Sequence, residues 1–302
     1  MLAVTDADHP PFPTPGLPDG RHVALPGRGT TFVREVAGPD GAPTVVLLHG
    51  WTVNSALNWF PSYAPLGERF RVVALDHRGH GHGMRTWRRF TLEDCADDVV
   101  ALLDVLGVER AIPVGYSMGG PVAQLVWRRH PDRVDGLVLC ATASRFRDRG
   151  DRALQGVVTG LALAARSTPR WVHRQLQERL IVARYDTSPL GHWAREQARL
   201  NDLRAMIEAG HAVGSFDSRS WAGDIDVPTA LVVTRYDTTV PPTRQEALAR
   251  AIPDARAFEV DGGHDVCAAD PDTFLPGLLE ACGDVARRTG RAAPPTPEPA
   301  GP

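Results

Sequence analysis

Three side chains of the sequence have the chemistry needed for acyl transfer: Ser117, Asp237 and His264. Acyl transfer through a serine needs a base that takes the hydroxyl proton and an acidic group that orients and charge-stabilises the base. The three residues occur in the order serine, acid, histidine, and each follows a run that is typical of a strand. The sequence therefore predicts a catalytic triad at the ends of three strands.

Ser117 lies in the pentapeptide GYSMG, between an apolar run at residues 112–114 and an amphipathic run at residues 122–129. The two runs predict a strand and a helix with a tight turn between them. In this setting G-x-S-x-G is typical of a nucleophile elbow, whose glycines allow a strained backbone that exposes the serine Oγ. Unpaired amides and the positive dipole end at the helix start favour negative charge there. Because the pentapeptide alone is a permissive pattern, the surrounding chain decides the interpretation.

Asp237 and His264 are the preferred acid and base because each follows a predicted strand. Asp237 comes after Thr229–Thr234, and His264 comes after residues 255–260. In an open α/β sheet, the loops beyond the carboxyl ends of the strands share one edge, so these residues can converge on the elbow. We therefore predict that His264 is the base and that Asp237 orients it.

Other carboxylates are less suitable as the triad acid. Asp226 precedes its strand, and Asp261 and Asp265 are too close to His264 in sequence for an easy approach to Nδ1. Some enzymes of this kind carry the acid after the preceding strand, but residues 141–144 read ATAS and contain no carboxylate.

The tetrapeptide HGWT at residues 49–52 directly follows the continuous apolar run Thr44–Leu48. A loop in this position supplies the second backbone donor to the oxyanion in elbow enzymes. We predict that the backbone N–H groups of Trp51 and Met118 form the oxyanion hole, each stabilising the transition state by about 3 kcal/mol. His49 is interpreted as a residue that braces this loop.

With these motifs, the chain resembles the α/β-hydrolase superfamily over about residues 28–287. The strings that carry the resemblance are LLHGW, DHRGHG, GYSMGG and GGH, with the loop of Asp237. It implies a cofactor-independent serine hydrolase with an eight-stranded, mostly parallel sheet flanked by helices, and a helical cap inserted after the sixth strand. One departure is Gly83, where relatives commonly have serine, in a loop distant from the predicted chemistry.

The alternation of strands and helices predicts the domain organisation. Residues 28–144 and 221–288 are expected to form the core. Residues 145–220 are Arg-rich and contain no convincing strand, so they are expected to form the cap. The Pro-rich residues 1–27 are predicted to be a mobile extension and residues 289–302 a disordered tail. Helical patterns in the predicted cap cover residues 153–165, 170–184 and 193–207.

Composition excludes several classes of function. The 302 residues include 33 basic and 36 acidic ones, which gives a net charge of -3. A chain with this charge has no overall attraction for nucleic acid or anionic membranes. Every basic residue is arginine, which excludes a lysine nucleophile or Schiff base. Without a leader or an apolar span, we expect a soluble, cytoplasmic protein. The four cysteines lack C-x-x-C spacing and are expected to be reduced, without a metal framework.

Three further groups of residues have a functional and a structural interpretation. His77, His80 and His82 alternate like metal ligands, but no acidic or histidine cluster accompanies them, so we expect neither a metal nor a cofactor. An arginine run at residues 145–152 could attract an anionic substrate, but a solvated helix face is the commoner case. Candidate pocket residues, which are more often plain core, are Trp171, Trp193, Met206 and His211.

The predicted function is hydrolysis of a small-molecule carboxylic ester through an acyl-enzyme. Cleavage of C–C bonds, lactones or thioesters and perhydrolysis use the same triad and stay open. The combination of Trp51 with the string SMGG resembles the combination found in the cofactor-free perhydrolases, although Thr52 stands where those enzymes commonly have proline. Epoxide and haloalkane hydrolysis need an aspartate in place of Ser117 and are excluded. From another class, a non-catalytic small-molecule binding protein on the same fold remains an alternative.

Overall fold

The structure is a computed structural model that describes residues 16–147, 160, 170–186 and 188–290. Nearly all of the helix predicted over residues 153–165 lies outside these residues. The same holds for the beginning of the predicted N-terminal extension and for the predicted tail beyond Gly290.

Eight strands form one sheet in the order β1-β2-β4-β3-β5-β6-β7-β8. Strand β2 pairs antiparallel with β1 and with β4, and all other neighbours are parallel, so the predicted mostly parallel sheet is confirmed. The strands are β1 Gly20–Leu25, β2 Gly29–Val36, β3 Thr44–Leu48, β4 Arg71–Leu75, β5 Ile112–Tyr116, β6 Leu137–Cys140, β7 Thr229–Thr234 and β8 Arg256–Val260.

Helices flank the sheet and also occur in the described part of the connection between β6 and β7. The described helices are α1 Ser55–Trp59, α2 Tyr63–Gly67, α3 Leu92–Val105, α4 Gly119–Arg129, α5 Arg170–Leu180, α6 Pro189–Arg199, α7 Leu203–Ser215, α8 Pro242–Ala251, α9 Val266–Ala269 and α10 Pro271–Arg288. Short 3-10 turns occur at Pro131–Arg133, Val182–Arg184 and Ala222–Asp224.

The central strands are apolar along their whole length because helices cover both faces of the sheet. In β3, Val46 and Leu48 belong to one buried cluster, and Val45 and Leu47 belong to another on the opposite face. This division follows from the two-residue period of a strand. Burial on both faces fixes the strand ends that carry the candidate site.

The extension predicted over residues 1–27 is wrong for residues 20–25, which form the edge strand β1. Its residues pair with β2, and the side chains of Val23 and Leu25 are buried in the core. The prediction followed the prolines at residues 10–18 and missed the alternation of buried and exposed positions that begins just after them.

The helix predicted over residues 193–207 is wrong as one element, because α6 ends at Arg199 and α7 begins at Leu203. The Asp202 side chain accepts a hydrogen bond from the Ala205 N–H, which caps α7. The Asp202 N–H donates to the Gly79 carbonyl at 2.8 Å, so the break is also tied to the core. The outer boundaries of the cap at residues 145 and 220 stay a prediction.

Candidate active site

Ser117 lies at the turn between β5 and α4 and has a left-handed backbone with φ of 51°. Its N–H donates to the Cys140 carbonyl at 2.9 Å, which ties the turn to β6. The glycines around it permit close approach, since a Cβ at Gly115 would lie 2.3 Å from the Gly119 oxygen and one at Gly119 would lie 2.0 Å from the Leu48 oxygen. The sequence therefore accommodates the strained turn that exposes the serine hydroxyl.

The three predicted triad residues lie together at the carboxyl edge of the sheet. His264 Nε2 is 2.9 Å from Ser117 Oγ, and His264 Nδ1 is 2.7 Å from Asp237 Oδ2. The hydroxyl follows β5, the carboxylate follows β7 and the imidazole follows β8, and the carboxyl ends of these parallel strands lie on one edge of the sheet. The arrangement can transfer a proton from a serine nucleophile to an oriented base.

The carboxylate of Asp237 is buried and receives donors on both oxygens. The N–H groups of Thr239 and Val240 each donate to Oδ1 at 2.8 Å. The Thr234 hydroxyl donates to Oδ2 at 2.9 Å, and Gln245 Nε2 lies 3.4 Å from the same atom. Burial alone would raise the pKa of Asp237, but His264 and these donors hold it below its ordinary value, so the carboxylate is ionised.

The alternative carboxylates lie elsewhere. Asp226 accepts a hydrogen bond from the Trp127 indole at 3.0 Å, and Asp261 forms a surface ion pair with Arg235. Asp265 precedes α9, and its side chain lines the cavity described below without a bond to His264 among the described residues.

Tyr116, the residue before the serine, holds the histidine loop. Its side chain is buried, and its hydroxyl donates to the His264 backbone oxygen at 2.9 Å. The strand that presents the nucleophile therefore also fixes the backbone of the base.

The loop at residues 49–54 lies beside the elbow, and a Cβ at Gly50 would lie 3.4 Å from the Ser117 Cβ. Within the described part of the chain, neither the Trp51 N–H nor the Met118 N–H is used by an intramolecular acceptor. The Gly50 N–H donates to Asn58 Oδ1 at 2.8 Å. Two backbone donors next to the serine thus remain for a ligand.

His49 holds this loop through hydrogen bonds of its ring, as expected from the sequence. Its Nε2 accepts the His77 N–H at 2.9 Å and its Nδ1 donates to the Gly50 oxygen at 2.8 Å, which requires the neutral ring. Complete burial lowers the pKa of His49 to about 4, only partly opposed by the bond to Gly50.

The other histidines of the DHRGHGHG loop pack with His49 or lie apart. The His77 and His80 ring centroids are 4.5 and 5.3 Å from that of His49, whereas His82 packs against Phe32. Among the residues with described positions, no group of three or more histidine, cysteine or acidic side chains could hold a metal ion. Burial lowers the pKa of His80 to about 3 and that of His77 well below its ordinary value.

A cavity of about 590 Å³ opens in front of Ser117. From the sheet edge, Tyr116 and His264 line it, and from the segment between β6 and β7, Ile181 and Tyr185 line it. The volume and the mixed lining suit a small-molecule substrate.

The four pocket candidates named from the sequence are not part of the described lining. Trp193 packs edge-on against Phe60, and the Met206 carbonyl accepts a bond from the Trp51 indole at 2.7 Å. Trp171 is exposed on α5, and His211 lies on α7. Of the arginine run, Arg149 and Arg152 lie outside the described residues.

Sequence reasoning missed Asn58, Gln245 and Asn201, which support the site without belonging to a motif. Each is at least nine-tenths buried and uses its side-chain amide to bond a loop of the site. A polar amide within a helical pattern gives no indication of the distant backbone group that it bonds.

The fold brings a serine, a histidine and an aspartate side chain into contact at one edge of the sheet, and comparison with known proteins identifies the family. The chain belongs to the alpha/beta hydrolase fold family, whose model matches residues 43–271. The protein is therefore a hydrolase.

Several named relatives are similar over most of the chain. A putative carbamate hydrolase RutD of Azorhizobium caulinodans is 30% identical over 254 residues, which are 81% of this chain and 93% of the relative. A pimeloyl-[acyl-carrier protein] methyl ester esterase of Neisseria meningitidis is 31% identical over 223 residues, 72% of this chain and 69% of the relative. The crystal structure of an enol-lactonase of Burkholderia xenovorans has a TM-score of 0.71 at 26% identity, covering 87% of this chain and 99% of its own.

Within the described residues, no helix combines the length and the apolar character needed to cross a membrane. The cytoplasmic location stays a prediction.

Proposed function

We propose that the protein hydrolyses a carboxylic ester through an acyl-enzyme formed on Ser117. The observation that carries the proposal is the unbroken series of short contacts from the Ser117 hydroxyl through His264 to Asp237, at 2.9 and 2.7 Å. These distances are the ones a serine nucleophile, its base and the orienting acid need.

In the first half-reaction, His264 Nε2 takes the proton of Ser117 Oγ as Oγ bonds to the ester carbon. The carbonyl π electrons move to oxygen, and the tetrahedral oxyanion forms. When the carbonyl re-forms, the C–O bond to the alcohol breaks, and the alkoxide receives the proton from His264. Asp237 stays ionised and stabilises the imidazolium.

In the second half-reaction, a water molecule gives its proton to His264 Nε2 and attacks the acyl carbon. The second oxyanion collapses, the bond to Oγ breaks, and His264 returns the proton to Ser117. The carboxylic acid leaves, and the enzyme is restored.

The backbone N–H groups of Trp51 and Met118 are proposed to hold the oxyanion. Support comes from their places beside the serine and from the lack of an internal acceptor for either group among the described residues. Met118 also immediately precedes α4, where the helix dipole favours negative charge. Each donor is expected to lower the barrier by about 3 kcal/mol.

Residues 145–220 are proposed to form a cap over the site. Ile181 and Tyr185, which come from this segment, line the cavity in front of Ser117 and support the proposal. Substrate selection would then depend on this segment as well as on the sheet edge.

Carbamate hydrolysis is the second candidate, because the chain is 30% identical to a putative carbamate hydrolase over 93% of that relative. A carbamate presents the same carbonyl to the serine, with nitrogen in place of carbon on one side. The named methyl ester esterase and enol-lactonase favour ester and lactone bonds.

The test compares the wild type with Ser117→Ala on p-nitrophenyl esters of increasing acyl length, a lactone and an aryl carbamate. We expect turnover of the esters, and a loss of about 10⁴-fold or more in Ser117→Ala. Ser62→Ala, the same change at the buried serine that directly precedes α2, serves as control and should retain wild-type rates. Undiminished ester turnover in Ser117→Ala would refute the proposal.

Labelling with a fluorophosphonate separates the enzyme from a non-catalytic binding protein. We expect stoichiometric labelling of the wild type at Ser117 and none of Ser117→Ala. A folded wild-type protein that is not labelled would favour the binding protein.

A further inference from the structure

The loop at residues 49–54 is held by hydrogen bonds from the described helices between β6 and β7 and from the break between two of them. The Trp51 indole Nε1 donates to the Met206 carbonyl of α7 at 2.7 Å, and Asn54 Nδ2 donates to Gln197 Oε1 of α6 at 3.0 Å. The third contact is made by Asn201, which lies in the break between α6 and α7. The helices therefore contact the loop that carries the proposed oxyanion donor Trp51.

The contact of Asn201 falls on the most constrained residue of the loop. Thr52 has φ of 69°, in the left-handed region that a β-branched residue rarely adopts. Its carbonyl oxygen accepts a hydrogen bond from Asn201 Nδ2 at 2.8 Å. Such a conformation persists only when the surrounding structure holds it.

The Asn201 side chain is buried, and both polar atoms of its amide form hydrogen bonds. While Nδ2 donates to Thr52, Oδ1 accepts the Gly81 N–H at 2.7 Å. The Asn201 backbone oxygen accepts Gln177 Nε2 at 3.0 Å, which fixes the residue to α5. The side-chain amide suits this position because it presents a donor to one loop and an acceptor to the other.

We propose that Asn201 is a positioning residue that holds Thr52 in its left-handed conformation and thereby sets the orientation of the neighbouring Trp51 N–H toward the oxyanion. The inference rests on the proposed function, since it concerns the donor named there. It gives the connection between α6 and α7 a part in transition-state stabilisation, in addition to any part in closing the cavity.

Asn201→Ala removes the donor to Thr52. We expect kcat for p-nitrophenyl acetate to fall about tenfold, less than for complete loss of an oxyanion donor, while KM stays within about twofold because substrate binding changes little. The affinity for a boronic acid, which forms a tetrahedral adduct on Ser117, should fall by the same factor as kcat. A residue that acts only on stability would leave kcat and boronate affinity unchanged.

Gln197→Ala is the matched control, because it removes the bond between the same helices and Asn54 without contacting Thr52. It should keep kcat and boronate affinity within about twofold of the wild type, as expected for a truncation away from the reacting groups. Equal losses in Gln197→Ala and Asn201→Ala would overturn the specific role of Asn201.

Thr52→Gly provides a rescue test, because glycine adopts positive φ without a steric penalty. Introduced into Asn201→Ala, it should restore a large part of kcat and of boronate affinity. If Asn201→Ala does not fold, Asn201→Asp keeps the acceptor for Gly81 and loses the donor, and it should show the same loss with rescue by Thr52→Gly. Absence of rescue would overturn the proposal.

Fluorophosphonate labelling separates failure of this inference from failure of the proposed function. If the wild type is labelled at Ser117 and Asn201→Ala is labelled at the same rate, the positioning role is wrong and the serine mechanism stands. If the wild type is not labelled at all, the serine mechanism itself fails, and the positioning role fails with it.

Discussion

The triad and the loop at residues 49–54 meet at the same edge of the sheet, but different parts of the chain hold them. Asp237 is bonded by Thr234, Thr239 and Val240, all within three residues of it. The loop is bonded by residues as far away as 155 positions, as in the contact from the Trp51 indole to Met206. The acid is thus held mainly by its own turn, whereas the proposed oxyanion loop depends on several distant segments.

The two regions also differ in how many contacts hold each group. Loss of one contact around Asp237 leaves several others on the same carboxylate, whereas His49, Thr52 and Trp51 each depend on one distant partner. We therefore expect the chemistry of the triad to be lost mainly when one of its own residues is replaced. The loop, in contrast, should be disrupted by substitutions far from it in the sequence or by low pH.

The largest effect is expected for Asp237→Asn. The side-chain amide would favour the wrong tautomer of His264, so kcat/KM for the ester should fall about 10⁴-fold. Asp226→Asn, the same change at a carboxylate bonded to Trp127, is the control and should keep wild-type rates. A loss of less than tenfold in Asp237→Asn would contradict the assignment of the acid.

The second prediction is that protonation of the buried histidines beside the loop destabilises the fold at low pH. The pKa values of His49 and His80 are lowered to about 4 and 3 by burial, so the unfolded chain binds protons first as the pH falls below its ordinary histidine pKa of about 6.5. Stability is therefore present above pH 6.5 and is lost as the pH falls toward 4. Between pH 7 and 4.5, each of these histidines should lower the free energy of unfolding by about 2 to 3 kcal/mol.

Urea unfolding at pH 7 and pH 4.5 measures this loss. His80→Leu should lose less stability between the two pH values than the wild type, by about one histidine's share. His82→Leu, at an exposed position of the same loop, is the control and should retain the wild-type difference. Equal pH differences in all three proteins would show that the buried rings do not cause the acid sensitivity.

The smallest effect is expected for Gln245→Met, which removes a partner shared by Thr234 and the Asp237 turn. Gln245 donates to Thr234 Oγ1 at 2.8 Å and to the Val240 oxygen at 2.7 Å, and Asp237 keeps its other donors when these are lost. We expect the free energy of unfolding to fall by about 1 to 3 kcal/mol, and kcat/KM to fall about fivefold.

Gln124→Met is the matched control, since Gln124 is an equally buried glutamine that bonds Ser218 instead of the acid loop. It should lower stability by a similar amount without the fall in kcat/KM. If Gln245→Met lowered activity as much as Asp237→Asn, the local redundancy around the acid would be disproved.

The arrangement of the three triad residues could be predicted because each depends on a local pattern at a strand end. GYSMG predicts the turn at Ser117, the strand before Asp237 has the predicted bounds Thr229–Thr234, and the strand before His264 begins at Arg256, one residue later than predicted. Parallel pairing then places all three on one edge. Their catalytic roles remain proposals for the experiments above.

The supporting residues could not be predicted in this way. Strand β1 was missed beside a Pro-rich stretch, and the break that contains Asn201 was missed within a helical pattern. The sequence likewise gave no indication that His49, His77 and His80 are buried against one another, because their two loops consist largely of glycine and polar residues.

The fold class, the order of the chemical groups and the strained turn at the serine follow from local patterns, because hydrophobic period and glycine placement act over a few neighbouring residues. Long-range packing selects the amide that bonds Thr52, the glutamine that supports the acid loop and the histidines that are kept neutral. A hydrogen-bond partner 149 residues away is chosen by how packed segments meet, and burial, which sets the pKa of a ring, exists only once they have packed.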